Sequence, residues 1–85
     1  MLPNAEKTFQ IFPNPSTGMF NVYYAGEGDA SAIEVMDVTG KKVFEGKIIN
    51  NRTQDIDLSR LQNGFYILYL KAGLSFEKFK IMISK

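Results

Sequence analysis

The sequence predicts an all-β fold, a Greek-key sandwich of about seven antiparallel strands. Turn-forming residues recur every 10 to 13 positions along the chain. The extended segments between these turns alternate apolar and polar residues, and no long segment repeats its apolar residues with the 3.6-residue period of a helix. Short alternating strands separated by evenly spaced turns are typical of a β-sandwich.

Six turn signals divide the chain. They lie at 14–18 (NPSTG), 26–29 (GEGD), 37–40 (DVTG), 50–51 (NN), 62–64 (QNG) and 72–73 (AG). In the first, Pro15 favours a type I turn and Gly18 can adopt a positive φ. We expect the side chain of Asn14 to accept N–H bonds from residues just downstream, which would stabilise this turn locally.

Two of the other signals have a specific turn chemistry. Asp37 and Gly40 suit the first and fourth positions of another type I turn. Asn50 and Asn51 tolerate the left-handed φ that a tight hairpin requires. These residues therefore predict sharp reversals between strands.

The segments between the turns predict strands at 8–12, 18–25, 31–38, 42–49, 53–58, 64–71 and 75–83. In the second strand, Phe20, Val22 and Tyr24 share one face, and in the third, Ile33 and Val35 lie opposite Glu34. The run at 65–70 (FYILYL) is apolar on both faces, which predicts a central strand.

The last predicted strand has an apolar face and a basic face. Phe79, Ile81 and Ile83 share the inward face, whereas Lys78 and Lys80 point outward. Residues 71–85 carry four Lys and one Glu. The lysines either protect a sheet edge from aggregation or are contacted by a partner, and the charge pattern alone leaves both open.

One short segment before the sixth strand suits a single helical turn. Asp57 or Ser59 can cap its start, and Gly64 can end it in the left-handed region. Leu58 and Leu61 would then close one end of the core.

Composition excludes several classes of function. The chain has 85 residues, no His, no Cys and a net charge of +1. It therefore lacks the residues for a Ser-His-Asp triad, a thiol nucleophile, a zinc site of imidazole or thiolate ligands, or a disulfide framework. The small net charge gives no general attraction for nucleic acid. We expect one domain at residues 9–85 after a linker at 1–8.

Four weaker patterns have simpler explanations as turns, exposed faces or packing. They are the half calcium site of Asp55 and Asp57, the carboxylate pair of Glu27 and Asp29, the formal glycosylation sequon at 51–53 (NRT), and the possible stacking residues Tyr23, Tyr24, Tyr66 and Tyr69. None of them predicts a metal, a cofactor or a catalytic residue.

Several landmarks follow one another in a recognisable order. They are 12–18 (FPNPSTG), Phe20 and Val22, Val35, Asp37 and Gly40, 57–66 (DLSRLQNGFY), and 78–85 (KFKIMISK). In this order they resemble the C-terminal sorting domain of the type IX (Por) secretion system, over about residues 9–85.

The resemblance implies an Ig-like sandwich that is not an enzyme and binds no cofactor. Such a domain directs a secreted or surface protein of certain Gram-negative bacteria from the periplasm across the outer membrane, to the cell surface or the extracellular space. Its implied partners are the type IX translocon and a sortase-like signal peptidase, which would cut at or before residues 1–8. The parent protein would then be released or attached to a surface lipopolysaccharide.

The resemblance also assigns two sets of site residues. The sorting and recognition set is Lys78, Phe79, Lys80, Ile81, Met82, Ile83 and Lys85. The family's turn motifs are Pro13, Asn14, Pro15, Gly18, Asp37, Gly40, Leu58, Leu61, Gly64 and Tyr66. Strand addition at an exposed edge is our expected mode of recognition, and the same edge could pair with a second copy to form a dimer.

Two other functions fit a small β-sandwich. A binding module would hold carbohydrate or protein through Tyr residues and loops, and it requires at least two exposed aromatic side chains on one face. A spacer of fibronectin type would work at any position in a parent chain.

Overall fold

The computed structural model describes residues 8–73 and 75–85. Within this part the chain forms seven strands, and each end lies within one residue of the predicted position. The strands are β1 (Thr8–Phe12), β2 (Met19–Ala25), β3 (Ala30–Asp37), β4 (Lys42–Ile49), β5 (Gln54–Asp57), β6 (Gly64–Ala72) and β7 (Ser75–Ile83). The predicted linker falls almost wholly on residues 1–7, outside the described residues.

The strands form two antiparallel sheets. One has the order β1-β2-β5, and the other has the order β4-β3-β6-β7. The chain crosses between the sheets after β2, β4 and β5, as in Greek-key sandwiches with an Ig-like architecture. The predicted sandwich is therefore confirmed. Among the described residues, no helix is long and apolar enough to cross a membrane.

The core lies between the two sheets. Phe20, Val22 and Tyr24 of β2 are buried there, opposite Ile33 and Val35 of β3. These inward positions alternate with half-exposed ones along each strand, as the sequence pattern predicted. The remaining buried apolar side chains are Ile48, Ile56, Leu58, Tyr66, Leu68, Leu70, Ile81 and Ile83.

Strand β6 is central, as its apolar sequence predicted. It pairs with β3 on one side and with β7 on the other. Leu68 and Leu70 face the core, whereas Ile67 and Tyr69 lie half-buried on the opposite face. The second apolar face of β6 thus forms part of the outer surface of the four-stranded sheet.

The predicted turn at Asp37 is confirmed. The N–H of Gly40 donates to the carbonyl of Asp37 at 3.0 Å, and Gly40 has a φ of +92°. The side chain of Asp37 accepts from the Thr39 hydroxyl at 2.6 Å and from the N–H groups of Thr39 and Lys41 at 2.9 and 3.1 Å. One carboxylate therefore closes the whole β3–β4 connection.

Three predictions about local structure are wrong. The 14–18 segment does not form a type I turn, because its backbone pairs with β7 at Ser16 instead of closing on itself. Asn51 has the expected left-handed φ of +63°, but the chain there crosses between sheets rather than forming a hairpin. Between β5 and β6, residues 58–61 form a hydrogen-bonded turn, with the N–H of Leu61 donating to the Leu58 carbonyl, and no helical turn occurs in this described segment.

Acid is expected to weaken the Asp37 turn. The hydrogen bond from the Thr39 hydroxyl, followed by that from the Lys41 N–H, holds the pKa of Asp37 below its usual value. A carboxylate whose folded-state pKa is lowered stabilises the fold above its unfolded-state pKa, and this contribution is lost as the pH falls through the folded-state pKa. Urea unfolding of wild type and Asp37→Asn at pH 2 to 7 measures the difference.

In that comparison, the free energy of unfolding of wild type should fall more steeply below about pH 4 than that of Asp37→Asn. Asp57, whose pKa is lowered chiefly by the Ser59 hydroxyl, remains in both proteins and contributes equally. Parallel curves for the two proteins would show that the Asp37 carboxylate does not stabilise the turn.

Candidate recognition strand

One side of the last strand, β7, packs in the core. Ile81 and Ile83 are fully buried at 0% exposure. Phe79 is half-buried, and its ring packs on that of Phe9 with centroids 4.8 Å apart. The inward side of β7 thus joins the two sheets, as the sequence predicted, and the side chains of Ile81 and Ile83 are inaccessible to a partner of the folded domain.

The outward side of β7 is basic and aromatic. Lys78 and Lys80 are exposed, and Met82 beside them is half-buried. The neighbouring outward side chains of β6 and β7 are Tyr69 and Phe76, whose ring centroids lie 5.4 Å apart. We call this surface the lysine face, defined by Phe65, Tyr69, Phe76, Lys78 and Lys80.

The charge on the lysine face is not neutralised by the carboxylates that the structure describes. The Lys71 ammonium, at its border, lies 3.4 Å from a carboxylate oxygen of Glu34. In the part of the chain that the structure describes, Lys78 and Lys80 have no carboxylate partner. The Lys80 ammonium instead lies 5.0 Å from the centroid of the Phe65 ring, a cation–π arrangement. This half of the sheet therefore presents positive charge beside exposed aromatic rings.

The C-terminal half of the β7 edge is already paired. The N–H of Ser16 donates to the Met82 carbonyl at 3.0 Å, and the N–H of Ser84 donates to the Ser16 carbonyl at 2.8 Å. The side chain of Asn14 donates to the Lys80 carbonyl at 3.1 Å and accepts from the Met82 N–H at 3.0 Å. Asn14 therefore bonds to the far end of the chain and not to residues just downstream, contrary to our expectation.

Among the residues that the structure describes, these contacts leave part of the β7 edge without a partner. Every second residue of an antiparallel edge strand points its N–H and C=O away from the sheet. On β7 these are the even-numbered residues, because the groups bonded to the 14–16 segment belong to Lys80, Met82 and Ser84. The Phe76 and Lys78 backbone groups point the same way and have no partner among the described residues. Strand addition is thus possible at 76–80 and is blocked at 81–84.

Asn14→Ala is expected to loosen the paired half of this edge. The change removes two hydrogen bonds between exposed groups, so the free energy of unfolding should fall by about 1 to 2 kcal/mol. Hydrogen exchange at the Met82 amide should become faster, whereas the Ser84 amide, which bonds to the Ser16 carbonyl, serves as the internal control. Unchanged exchange at Met82 would mean that Asn14 does not hold the edge.

The end of the chain is attached to a neighbouring turn. The N–H of Lys85 donates to the Asn63 side chain at 3.0 Å, and its ammonium donates to the Ser59 carbonyl at 2.6 Å. The same turn places Leu58 in the core at 0% exposure and leaves Leu61 packed at its margin, as predicted. Lys85 is therefore exposed, but both its backbone N–H and its ammonium group are hydrogen-bonded to this turn.

The predicted turn motifs gather at one end of the sandwich. This end contains the turns that precede β2, follow β3, precede β6 and follow β7. The Leu58 N–H donates to the Gly18 carbonyl at 2.7 Å, and the Tyr66 hydroxyl donates to the Gln62 carbonyl at 2.7 Å. The motif residues thus brought to one end are Pro13, Asn14, Pro15, Gly18, Asp37, Gly40, Leu58, Leu61, Gly64 and Tyr66.

Sequence reasoning missed some residues of this site. The lysine face includes Phe65 and Phe76, which are 47% and 56% exposed. Ser16 was also missed, although it is buried and both its N–H and its carbonyl are hydrogen-bonded to the end of the chain at Met82 and Ser84. The alternation of inward and outward residues along β6 and β7 could have identified these aromatic residues, because it places them on the same side of the sheet as the lysines.

A comparison with models of known families explains the order of these landmarks. The model of the secretion system C-terminal sorting domain matches residues 10–84. The chain belongs to this family. A comparison with curated proteins returned no match. The domain is therefore a C-terminal sorting signal for type IX secretion, which implies export to the outer membrane, the cell surface or the extracellular space.

The sorting-domain assignment is favoured over a carbohydrate-binding module. Two of the four Tyr residues proposed for stacking, Tyr24 and Tyr66, are buried in the core, although the lysine face does carry two exposed aromatic side chains, Phe65 and Phe76. The family match therefore decides between the two functions. Of the weaker patterns, Asp57 accepts hydrogen bonds from Ser59 and closes the turn before β6. No group of three carboxylates that could hold a metal ion occurs among residues 8–73 and 75–85.

Proposed function

We propose that the type IX translocon recognises this sorting domain through the outward side of β7 and the residues that follow it. Recognition would take place after the parent protein reaches the periplasm. The contacted side chains are Lys78, Lys80 and Lys85, with Met82 at the margin. Phe79, Ile81 and Ile83 act indirectly, because they hold β7 against the core.

One observation carries this proposal. On a single strand, the inward Phe79, Ile81 and Ile83 alternate with outward residues, which are the exposed Lys78 and Lys80 and the half-buried Met82. The two lysines have no carboxylate partner among the described residues. A charged side chain that only blunts an edge has no need of aromatic neighbours, yet Lys78 and Lys80 lie beside three rings of the lysine face. Exposed aromatic rings rimmed by polar or charged side chains are typical of protein-binding surfaces.

We also infer that the domain itself performs no reaction. The family is one of sorting signals and is not catalytic. The chain contains neither His nor Cys, and no group of His, Cys, Asp and Glu residues in the described part forms a metal cluster. Folding and binding are then the only properties that sorting requires of this chain.

The proposal extends to the fate of the parent protein. After export, a sortase-like signal peptidase would cut at or before residues 1–8, and the parent would be released or attached at the cell surface. Such a cut removes the sandwich, whose first strand β1 starts at Thr8, from the parent protein. Nothing in the core would need to unfold for this cleavage.

A reporter fusion tests the proposed function. Residues 1–85 are joined to the C-terminus of a periplasmic reporter in a bacterium that has this secretion system. We expect the reporter to reach the cell surface or the medium, shortened by the mass of the domain. The matched control is the same fusion with Leu68→Asp, which places a charge in the core and should stop folding. Periplasmic retention of the unaltered fusion would contradict the proposal.

A further inference from the structure

The free segment of the β7 edge has its own chemistry, which suggests the kind of partner that binds there. The outward N–H and carbonyl groups of Phe76 and Lys78, and the N–H of Lys80, have no partner among the described residues. From the Lys80 carbonyl onward, the outward groups are bonded to Asn14 and Ser16. An added strand can form main-chain hydrogen bonds only along this short stretch.

The side chains on both faces of the stretch restrict the partner further. On the outer face, an added strand would run beside Phe76, Lys78 and Lys80, and directly opposed opposite charges stabilise a strand pair. On the inner face, it would run beside half-buried Glu77 and Phe79, and the ring of Phe79, which packs on Phe9, favours an apolar neighbour. The two faces of a strand alternate along its sequence.

We propose that the free β7 edge at 76–80 binds an extended partner segment in which acidic and apolar residues alternate. The acidic residues lie beside Lys78 and Lys80, and the apolar ones lie against Phe79. This inference rests on the proposed function, because the partner is taken to be a protein of the export route.

A second copy of the chain is a poor occupant of this edge. Antiparallel pairing of two β7 strands centred on Lys78 places the two Lys78 ammonium groups directly opposite each other, which destabilises the pair. The dimer expected from the sequence is therefore disfavoured in this register, and it stays a prediction. The same charges that exclude self-association select an acidic partner.

The other edge of the same sheet is less suitable for strand addition. The N–H and carbonyl of Ile49 on β4 are bonded to the side chain of Gln54 at 2.9 and 2.8 Å. The carbonyl of Val43 accepts from the Arg60 guanidinium at 2.8 Å. Both ends of the β4 edge are thus covered by side chains, so β4 serves as the internal comparison in the experiment.

Nuclear magnetic resonance titration of the 85-residue chain tests this inference. The probe is a short synthetic peptide of alternating glutamate and valine. We expect shift changes and slowed hydrogen exchange at the Phe76 and Lys78 amides. Replacing the glutamates by lysines, or methylating the peptide's backbone nitrogens, should weaken binding at least tenfold. Binding should also weaken about tenfold in Lys78→Glu/Lys80→Glu, and not in Lys47→Glu/Arg52→Glu.

Three outcomes would overturn the inference. They are no binding of the glutamate peptide, equal binding of the lysine peptide, and protection confined to β4 amides. The reporter fusion distinguishes these from failure of the proposed function. Export of the fusion without peptide binding would reject strand addition at this edge alone, whereas periplasmic retention of the fusion would reject recognition by the translocon.

Discussion

Removal of residues 81–85 is expected to unfold the domain and not merely to remove an exposed tail. Ile81 and Ile83 are each at 0% exposure in the core. The loss of a buried Ile side chain costs about 2 to 5 kcal/mol, and two such losses approach the roughly 5 to 15 kcal/mol that stabilise a small domain. The truncation also removes the partners of Ser16 on β7. Urea unfolding followed by circular dichroism should show no cooperative transition.

Deletion of Lys85 alone is the matched control for this truncation. Its two hydrogen bonds join exposed groups, so the cooperative transition should persist with a loss of about 1 kcal/mol. A truncated domain that keeps a cooperative transition, less stable by under about 2 kcal/mol, would contradict the structural role given to β7. If the truncated domain is unfolded, a loss of export after truncation does not separate two causes. It could result from unfolding or from loss of the recognised residues.

Gly18→Ala is expected to destabilise the domain by about 3 kcal/mol or more. Gly18 has a φ of +126°, a conformation that costs an L-residue about 1 to 3 kcal/mol. A Cβ there would also lie 2.5 Å from the Cα of Ser59, a backbone atom that cannot move without displacing the turn before β6. Crowding of this kind typically adds about 1 to 3 kcal/mol. The free energy of unfolding measures the sum.

Gly40→Ala separates the two causes. Gly40 has a φ of +92°, but a Cβ built on it meets nothing within 4 Å. This variant should therefore lose only the conformational part, about 1 to 2 kcal/mol. If Gly18→Ala lost no more than Gly40→Ala, the close approach of the 14–18 segment to Ser59 would not be needed for stability.

Local patterns predicted most of the fold. The alternation of Phe20, Val22 and Tyr24 predicted strand β2 and its buried face. The run at 65–70, apolar on both faces, predicted that β6 is a central strand. Both depend on residues within one strand, where a period of two decides which side chains face the core. The turn at Asp37 was equally local, since its hydrogen bonds span at most four residues.

The pairing of the 14–16 segment with β7 could not be predicted in this way. Asn14 lies 66 and 68 residues from its partners Lys80 and Met82. The side-chain chemistry of Asn14 and Ser16 suits a local turn as well as a long-range contact, so nothing within the segment distinguished the two. The position of the free edge followed only from the three-dimensional arrangement.

Charge reversal on the lysine face tests the central claim most directly. Lys78→Glu/Lys80→Glu in the reporter fusion changes two exposed side chains without altering the core, so the thermal midpoint should stay within a few degrees of wild type. Lys47→Glu/Arg52→Glu makes the same change in net charge at exposed positions away from β7. We predict that export falls at least tenfold in the first variant and is unchanged in the second. Equal export of the two folded variants would contradict recognition through the outward side of β7.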